Sequence, residues 1–199
     1  MKNVLFIVSH LGSGSNHLFN WLDKNPRIQG IRVDVPYIHP GSLEILTSHP
    51  HKLDNTAAIY MDELLYNYSF AFPPLYQWCK FIYLVREARP TLNTIVSKPQ
   101  SFSYKYSPES ANKYYKYRLR RMCEMAKRTP KAILLTYDDL ISGRKFPAIE
   151  KYLNLKEPIK TEEIKEDIQD VMDVSLINEA QESFERHLFY LKKFIHLCP

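Results

Sequence analysis

Gly12-Ser13-Gly14-Ser15-Asn16 is the stretch of this chain best suited to holding an anion. Two glycines let a backbone turn sharply and approach a ligand closely, and Ser13, Ser15 and Asn16 are residue types that cap helices. A second group consists of Arg86, Thr94 and Lys98: a guanidinium fork, a hydroxyl eight residues later and an ammonium four residues beyond that. On a helix Thr94 and Lys98 share a face, and a phosphate dianion is held best by such a fork with a hydroxyl donor. The alternative for Arg86 is an ordinary ion pair with Glu87 or another acid. Asp34 and Glu63, with Asp62 beside it, follow strand-like runs and are placed to take a proton from a hydroxyl, although strand-end carboxylates often only cap or pair. His10 and His17 flank the glycines, either as cations toward an anion or as packing and capping residues.

These groups need a frame that brings them to one edge. Residues 4–8 (VLFIV) form an unbroken apolar, largely β-branched run, the pattern of a strand buried on both faces of a parallel sheet. From Leu18 the apolar positions recur at helical spacing through Trp21 and Leu22, and the helix should end near Asn25-Pro26. The glycine stretch therefore lies at a helix N-terminus, where free N–H groups and the helix dipole favour an anion. Several loops share this layout. A nucleoside-triphosphate loop needs GxxxxGK and then Ser or Thr, and no Lys stands in that register. The dinucleotide fingerprint GxGxxG is met only as far as Gly14, with His17 at the third glycine, although Asp34 twenty residues beyond Gly14 keeps that reading open. The hydrolase elbow GxSxG does not fit. An ordinary strand-to-helix turn is the remaining alternative.

Further strands are expected at residues 28–35, 57–61, 81–85 and 132–136. Helices are expected at 42–46, from Pro90 to before Pro99, and at 107–128, 145–153, 161–172 and 175–195, with helix and loop at 64–78 and a lid-like segment at 101–107. Strands alternating with helices predict an α/β three-layer sandwich around a mostly parallel sheet, with a helical C-terminal third. In such sheets ligands bind beyond the carboxyl ends of the strands, where Asp34, Asp62, Glu63 and Arg86 would all stand.

The 199 residues suffice for one domain with a full core, expected to span residues 1–199, and 45% hydrophobic content supports a globular chain. Lys and Arg exceed Asp and Glu by 27 to 22, which suits anionic ligands without demanding nucleic acid. Charge is uneven: residues 113–121 (KYYKYRLRR) carry five bases and no acid, whereas residues 157–185 hold ten acids. The Tyr and Lys alternation over 101–121 would serve to stack single-stranded nucleic acid, to form an amphipathic surface helix, or to line the acceptor side of a cleft. Three scattered cysteines suggest neither a disulfide framework nor a metal knuckle, and His49-Pro50-His51 lacks further ligands at metal spacing. With no signal-peptide or membrane-spanning pattern, a soluble, cytoplasmic protein without a membrane partner is expected.

Two segments, residues 4–36 and 80–153, resemble the sulfotransferases that use 3′-phosphoadenosine 5′-phosphosulfate (PAPS), a P-loop-like α/β family, and most closely the protein-tyrosine sulfotransferase branch. Ser13-Gly14-Ser15-Asn16 falls on the Ser-Gly-Thr-Thr of the loop that binds the 5′-phosphosulfate. Arg86 and Thr94 fall on the strand-end Arg and the helix Ser that hold the 3′-phosphate, and Lys98 on a further basic residue of the tyrosine branch. Tyr137-Asp138-Asp139-Leu140 resembles the family's Tyr-Glu-Asp-Leu, whose Tyr contacts the nucleotide, and Asp23-Lys24-Asn25-Pro26 resembles an Asp-x-His-Pro stretch.

The resemblance implies PAPS as donor, 3′,5′-adenosine bisphosphate (PAP) as product, no metal, and a hydroxyl acceptor on a peptide tyrosine, a glycan or a small molecule. Gly12, Ser13, Gly14, Ser15, Asn16, Arg86, Thr94, Lys98 and Tyr137 would bind the nucleotide. Asp34 would be the general base, with Glu63 as runner-up. Two departures stand out. Gly12 replaces the Lys or Arg that precedes the family's Ser-Gly, and Met61 stands where the tyrosine branch has a Lys near the end of the third strand. His10 or His17 is the candidate substitute cation. The alternative is a catalytically impaired nucleotide- or nucleic-acid-binding protein of the same fold; a nucleic-acid partner is the less favoured of the two.

Overall fold

A computed structural model of the chain describes residues 4–26, 28–32, 57–61, 79–98, 105–129, 132–166 and 168–195. Five strands are described: β1 (Val4–Val8), β2 (Ile28–Arg32), β3 (Ala57–Met61), β4 (Cys79–Val85) and β5 (Ala132–Thr136). They form one parallel sheet in the order β2-β3-β1-β4-β5. The described helices are α1 (Ser15–Asp23), α2 (Ala88–Ser97), α3 (Pro108–Ala126), α4 (Tyr137–Ser142), α5 (Phe146–Leu153) and α6 (Val174–Phe194).

Alternation along the central strands divides the core in two. Phe6 and Val8 join Phe81, Tyr83 and Val85 on one face, under α2, α3 and α6. Leu5 and Ile7 join Ile82, Leu84, Ile133 and Leu135 on the other, under α1, α4 and α5. Both faces are covered, so β1 and β4 read as unbroken apolar runs rather than alternating ones. Each such large side chain contributes about 1.5–3 kcal/mol on burial, which is why these strands form the rigid floor of the molecule. The expected α/β sandwich around a parallel sheet is what the chain builds.

After β1 the chain turns to α1 on one face and on to β2; after β4 it turns to α2 on the opposite face. The loops following β1 and β4 therefore diverge side by side. Such a divergence between neighbouring parallel strands opens a crevice at their carboxyl ends.

One expected element is corrected. The described part of residues 161–172 is not helical and runs irregularly along the carboxyl edge of the sheet. Its charges are drawn to other elements: Lys24 pairs with Glu162, Arg86 with Glu166, and Arg89 with Asp170 at 2.8 Å. The N–H groups of Val171 and Met172 donate to Asn93 Oδ1 at 2.9 and 3.0 Å instead of to helix carbonyls. Tertiary partners override a helix propensity worth only tenths of a kcal/mol per residue, about 0–0.7. Conversely, α4 forms where only a post-strand segment was read. Thr136 Oγ1 accepts from Asp139 N–H while Asp139 accepts from Thr136 N–H, a reciprocal cap, and Gly143 ends the helix at φ 65°. Helix 42–46, the segment 64–78, the start of the 101–107 lid and the His49-Pro50-His51 loop lie outside the described residues.

Candidate functional site

The turn after β1 closes by a bond from Ser13 N–H to the His10 carbonyl at 3.2 Å. Gly12 and Gly14 have φ of 72° and 91°, a region that other residues enter only under strain. At Gly14 space is also decisive, because a Cβ there would lie 2.7 Å from Tyr137 Cε2 and 3.0 Å from Leu140 Cδ2. Gly14 itself is the N-cap of α1, and among the described residues no side chain caps the helix. The expected capping by Ser13, Ser15 or Asn16 is thus corrected: the left-handed glycine does the turning, and the first amides of α1 remain available to an external anion.

Arg86 is the first residue past β4 and only 5% exposed. Its backbone N–H donates to His10 Nε2 at 3.1 Å, and its carbonyl accepts from Tyr115 Oη at 2.6 Å. The guanidinium lies 3.9 Å from the centroid of the Tyr137 ring, donates from Nη1 to the Gly12 carbonyl at 3.1 Å, and donates from Nη2 to Glu166. Tyr137 Oη donates to the other oxygen of Glu166. Burial, with help from the Glu166 hydrogen bond, raises the Tyr137 phenol well above its ordinary range, so it stays a donor.

A cavity of about 240 Å³ lies over this junction, lined by Gly12, Gly14, Ser15, Asn16 and His17 from one side and by Arg86, Thr94, Lys98 and Tyr137 from the other. A second cavity of about 440 Å³ shares Arg86, Tyr137 and Glu166 and extends toward Thr136, Asp138 and Arg144. Of the expected nucleotide-binding residues only Ser13 is turned away, fully buried with its hydroxyl unpartnered among the described residues. Thr94 donates its hydroxyl to the Pro90 carbonyl at 2.7 Å and must turn to donate to a ligand.

No family model and no curated protein sequence matches the chain. Solved structures do. A sulfotransferase from Alicyclobacillus acidocaldarius aligns over 98% of this chain and 96% of its own, with TM-score 0.58 and 12% identity. The sulfotransferase domain of the Synechococcus PCC 7002 olefin synthase aligns over 99% and 96%, with TM-score 0.58 and 12% identity. Mouse sulfotransferase SULT7A1, complexed with PAP, aligns over 94% of this chain and 66% of its own, with TM-score 0.55 and 15% identity. This chain has the sulfotransferase fold.

Within that fold, the histidine on the β1 loop is not the expected cation. His10 is fully buried; its Nδ1–H donates to the Leu11 carbonyl at 3.0 Å and Nε2 accepts from Arg86. Burial, together with the Arg118 and Arg86 charges, lowers its pKa to about 4, so it is neutral at pH 7 and offers no charge to a donor. His17 is exposed and lines the smaller cavity. Asp34 and Glu63 lie outside the described residues, each two positions past the ends of β2 and β3.

Glu166 and Lys165, both on the irregular segment, line the smaller cavity and were not expected there. No sequence motif distinguishes them from the neighbouring charges. Helix α3 has the amphipathic character that was one of its expected readings, but its inward face reaches the loops of the site. Its Tyr115 and Arg118 are fully buried, and Arg118 Nε donates to the Ser9 carbonyl at 2.7 Å. Tyr114 Oη accepts from Leu11 N–H at 3.0 Å. The Tyr115 and Arg118 spacing of three on an otherwise apolar stripe with Leu119 and Met122 was the available signal.

Proposed function

We propose that the protein is a sulfotransferase, moving a sulfuryl group from PAPS to an acceptor hydroxyl and releasing PAP. The carrying observation is the junction, in one cavity at the divergence of the β1 and β4 loops, of the two anion-suited groups. The residues present fit such a donor: Gly12 and Gly14 hold conformations that leave the first amides of α1 facing the cavity edge, and buried Arg86 has an Nε without a partner among the described residues. When bound, PAPS supplies a sulfuryl group on a phosphate leaving group.

The loop amides of Gly12, Gly14, Ser15 and Asn16 hold the 5′-phosphosulfate and stabilise charge on its oxygens, with Ser13 shaping the turn from beneath. Arg86, Thr94 and Lys98 hold the 3′-phosphate, and Tyr137 faces the nucleoside, for which the larger shared cavity gives room. Asp34 takes the acceptor proton as the acceptor O–S bond forms and the bond from sulfur to the 5′-phosphate oxygen breaks; Glu63 is the other candidate. Among the described residues, Lys165 and His17 line the smaller cavity and are the candidates to stand in for the basic residues absent at Gly12 and Met61. Residues 1–199 act as one domain in this reading, with no metal, and the acceptor is a peptide tyrosine, a glycan or a small molecule.

A thermal-shift screen against PAP, ATP, NAD and single-stranded DNA tests the donor, since a ligand bound only by the folded state raises its apparent stability. Stabilisation by PAP alone supports this reading, and stabilisation by NAD refutes it. Gly12 and the neutral His10 favour a second reading, a nucleotide-binding protein without transfer chemistry. Tight PAP binding with no transfer of labelled sulfate to tyrosine peptides, glycans or phenols selects that one.

A further inference from the structure

The Glu166 carboxylate engages Arg86 Nη2 with one oxygen and the Tyr137 hydroxyl with the other, so one side chain occupies both groups that a nucleotide would use. The Glu166 side chain is 31% exposed, whereas that of Arg86 is 5% exposed. Its segment is fastened on both sides without it. Upstream, Ile159 N–H donates to Glu150 Oε1 at 2.7 Å. Downstream, Asn93 holds the N–H groups of Val171 and Met172, and Asp170 accepts from Asn93 and Arg89, each at 2.8 Å. Releasing Glu166 from Arg86 therefore breaks none of these anchors.

The guanidinium edge under Glu166 is only half used. Nη1 is committed to the Gly12 carbonyl and Nη2 to Glu166, while Nε is buried without a partner among the described residues. Nε and Nη2 form one edge that matches two oxygens of an anion. A carboxylate with one oxygen given to Tyr137 leaves that edge half filled. A phosphate group has three oxygens and two charges, and satisfies Nε, Nη2 and the Tyr137 hydroxyl together.

We infer that Glu166 is a built-in competitor for the phosphate site, occupying Arg86 and Tyr137 in the empty protein and giving way to the 3′-phosphate of the nucleotide. The inference rests on the PAPS reading of the site. In the empty protein the carboxylate compensates a charge that would otherwise be buried alone, a strongly unfavourable state. On binding, the ligand replaces contacts already made, so a nucleotide gains only if it brings more charge and more acceptors than a carboxylate. Glu166 thus sets a threshold that a second phosphate passes and a hydroxyl in its place does not.

The test is calorimetric binding of PAP, adenosine 5′-monophosphate and inorganic pyrophosphate to wild type, Glu166→Gln, Glu166→Asp and, as a control, Glu163→Gln. Glu166→Gln is expected to bind PAP about tenfold or more tightly, in line with one charge-assisted contact. Its thermal midpoint without ligand should fall and be restored by PAP, while affinity for adenosine 5′-monophosphate and the behaviour of Glu163→Gln should not change. If wild type binds PAP and Glu166→Gln binds it no more tightly, or if the monophosphate gains equally, the competition is overturned and the donor reading stands. If no variant binds PAP, the donor reading fails and pyrophosphate decides: tighter binding by Glu166→Gln upholds an internal competitor for an anion, and unchanged binding overturns it. Should Glu166→Gln fail to fold, Glu166→Asp, too short to reach both partners, must show the same gain in PAP affinity or the inference falls.

Discussion

Replacing Gly14 by Ala should damage this protein far more than the same change at Gly143, although both glycines have positive φ. A left-handed residue with a Cβ costs about 1–2 kcal/mol, and at Gly143 that is nearly the whole cost, because the nearest atom to an added Cβ is Phe146 Cδ2 at 3.4 Å. At Gly14 the same strain is joined by a 2.7 Å approach to the Tyr137 ring and a 3.0 Å approach to Leu140. The ring cannot swing aside freely, since its face carries Arg86 and its hydroxyl is bonded to Glu166. Forced overpacking costs about 1–3 kcal/mol more, so Gly14→Ala should lose about 2–5 kcal/mol in all. Gly12→Ala should fall between, its Cβ meeting the Thr91 carbonyl at 3.2 Å. Urea unfolding of the three variants measures the order directly. Equal losses at Gly14 and Gly143 would refute the close packing of α4 on the loop. Because Tyr137 must shift, Gly14→Ala should also weaken PAP binding, whereas Gly143→Ala should leave it unchanged.

Arg86→Ala should weaken PAP binding about tenfold or more, as expected for a charge-assisted contact, while Arg128→Ala, two residues past the end of α3, should not; equal affinities by calorimetry would refute the placement. Asp34→Asn should cut sulfuryl transfer about 10²- to 10⁴-fold with PAP affinity retained, and a dead Glu63→Gln with an active Asp34→Asn would reverse the assignment of the base. His10 should make the fold acid-sensitive. Between its ordinary value of 6.5 and its buried value of about 4, the unfolded chain binds a proton that the folded chain does not, so stability is intact above pH 6.5 and falls by about 3 kcal/mol toward pH 4. His10→Gln should be less stable at pH 7 yet lack that part of the acid loss, and an unchanged slope in pH-dependent urea unfolding would refute it.

The parts of the fold legible in the sequence are those where local pattern and tertiary demand coincide. β1, its glycine turn and α1 follow from an apolar run, two glycines and a helical stripe, and β4 with Arg86 from a second run ending in charge. Thr94 on α2 and Lys98 at its C-cap line one cavity with the glycine loop, because residues four apart share a helix face and the Lys98 N–H still bonds the Thr94 carbonyl. What escaped was non-local. The order β2-β3-β1-β4-β5 is carried by no local signal, and residues 161–172 read as helix because their propensities are helical while the partners that unwind them, Asn93, Arg86 and Arg89, lie about 75 or more residues away in the chain. α4 was recoverable: Thr136 and Asp139 have capping-box spacing, with Asp in the place usual for Glu or Gln, and Gly143 is a typical stop.

Helix α3 bears on how the candidate site is held, because its side chains tie together the two loops that line the cavity. Tyr114 holds Leu11, Arg118 holds Ser9, and Tyr115 holds the Arg86 carbonyl, while His10 bridges from the β1 loop to the Arg86 N–H. Every one of these bonds is made to backbone, so they locate the loops without using the groups that face the cavity. Tyr115 is driven to stay protonated by its burial, with the Glu87 carboxylate adding to the effect, and His10 is kept neutral by its own burial and by Arg118 and Arg86, so these two ties do not titrate near neutral pH. The back wall is therefore fixed, and the adjustable contacts, Glu166 on Arg86 and Thr94 on Pro90, lie on the cavity side. A site built this way holds its donors in place before a ligand arrives, which is the condition under which amides and a guanidinium stabilise developing charge without reorganising. The basic run 113–121 serves that end through residues turned inward, while Lys116 pairs with Glu179 and Arg120 and Arg121 pair with Glu124.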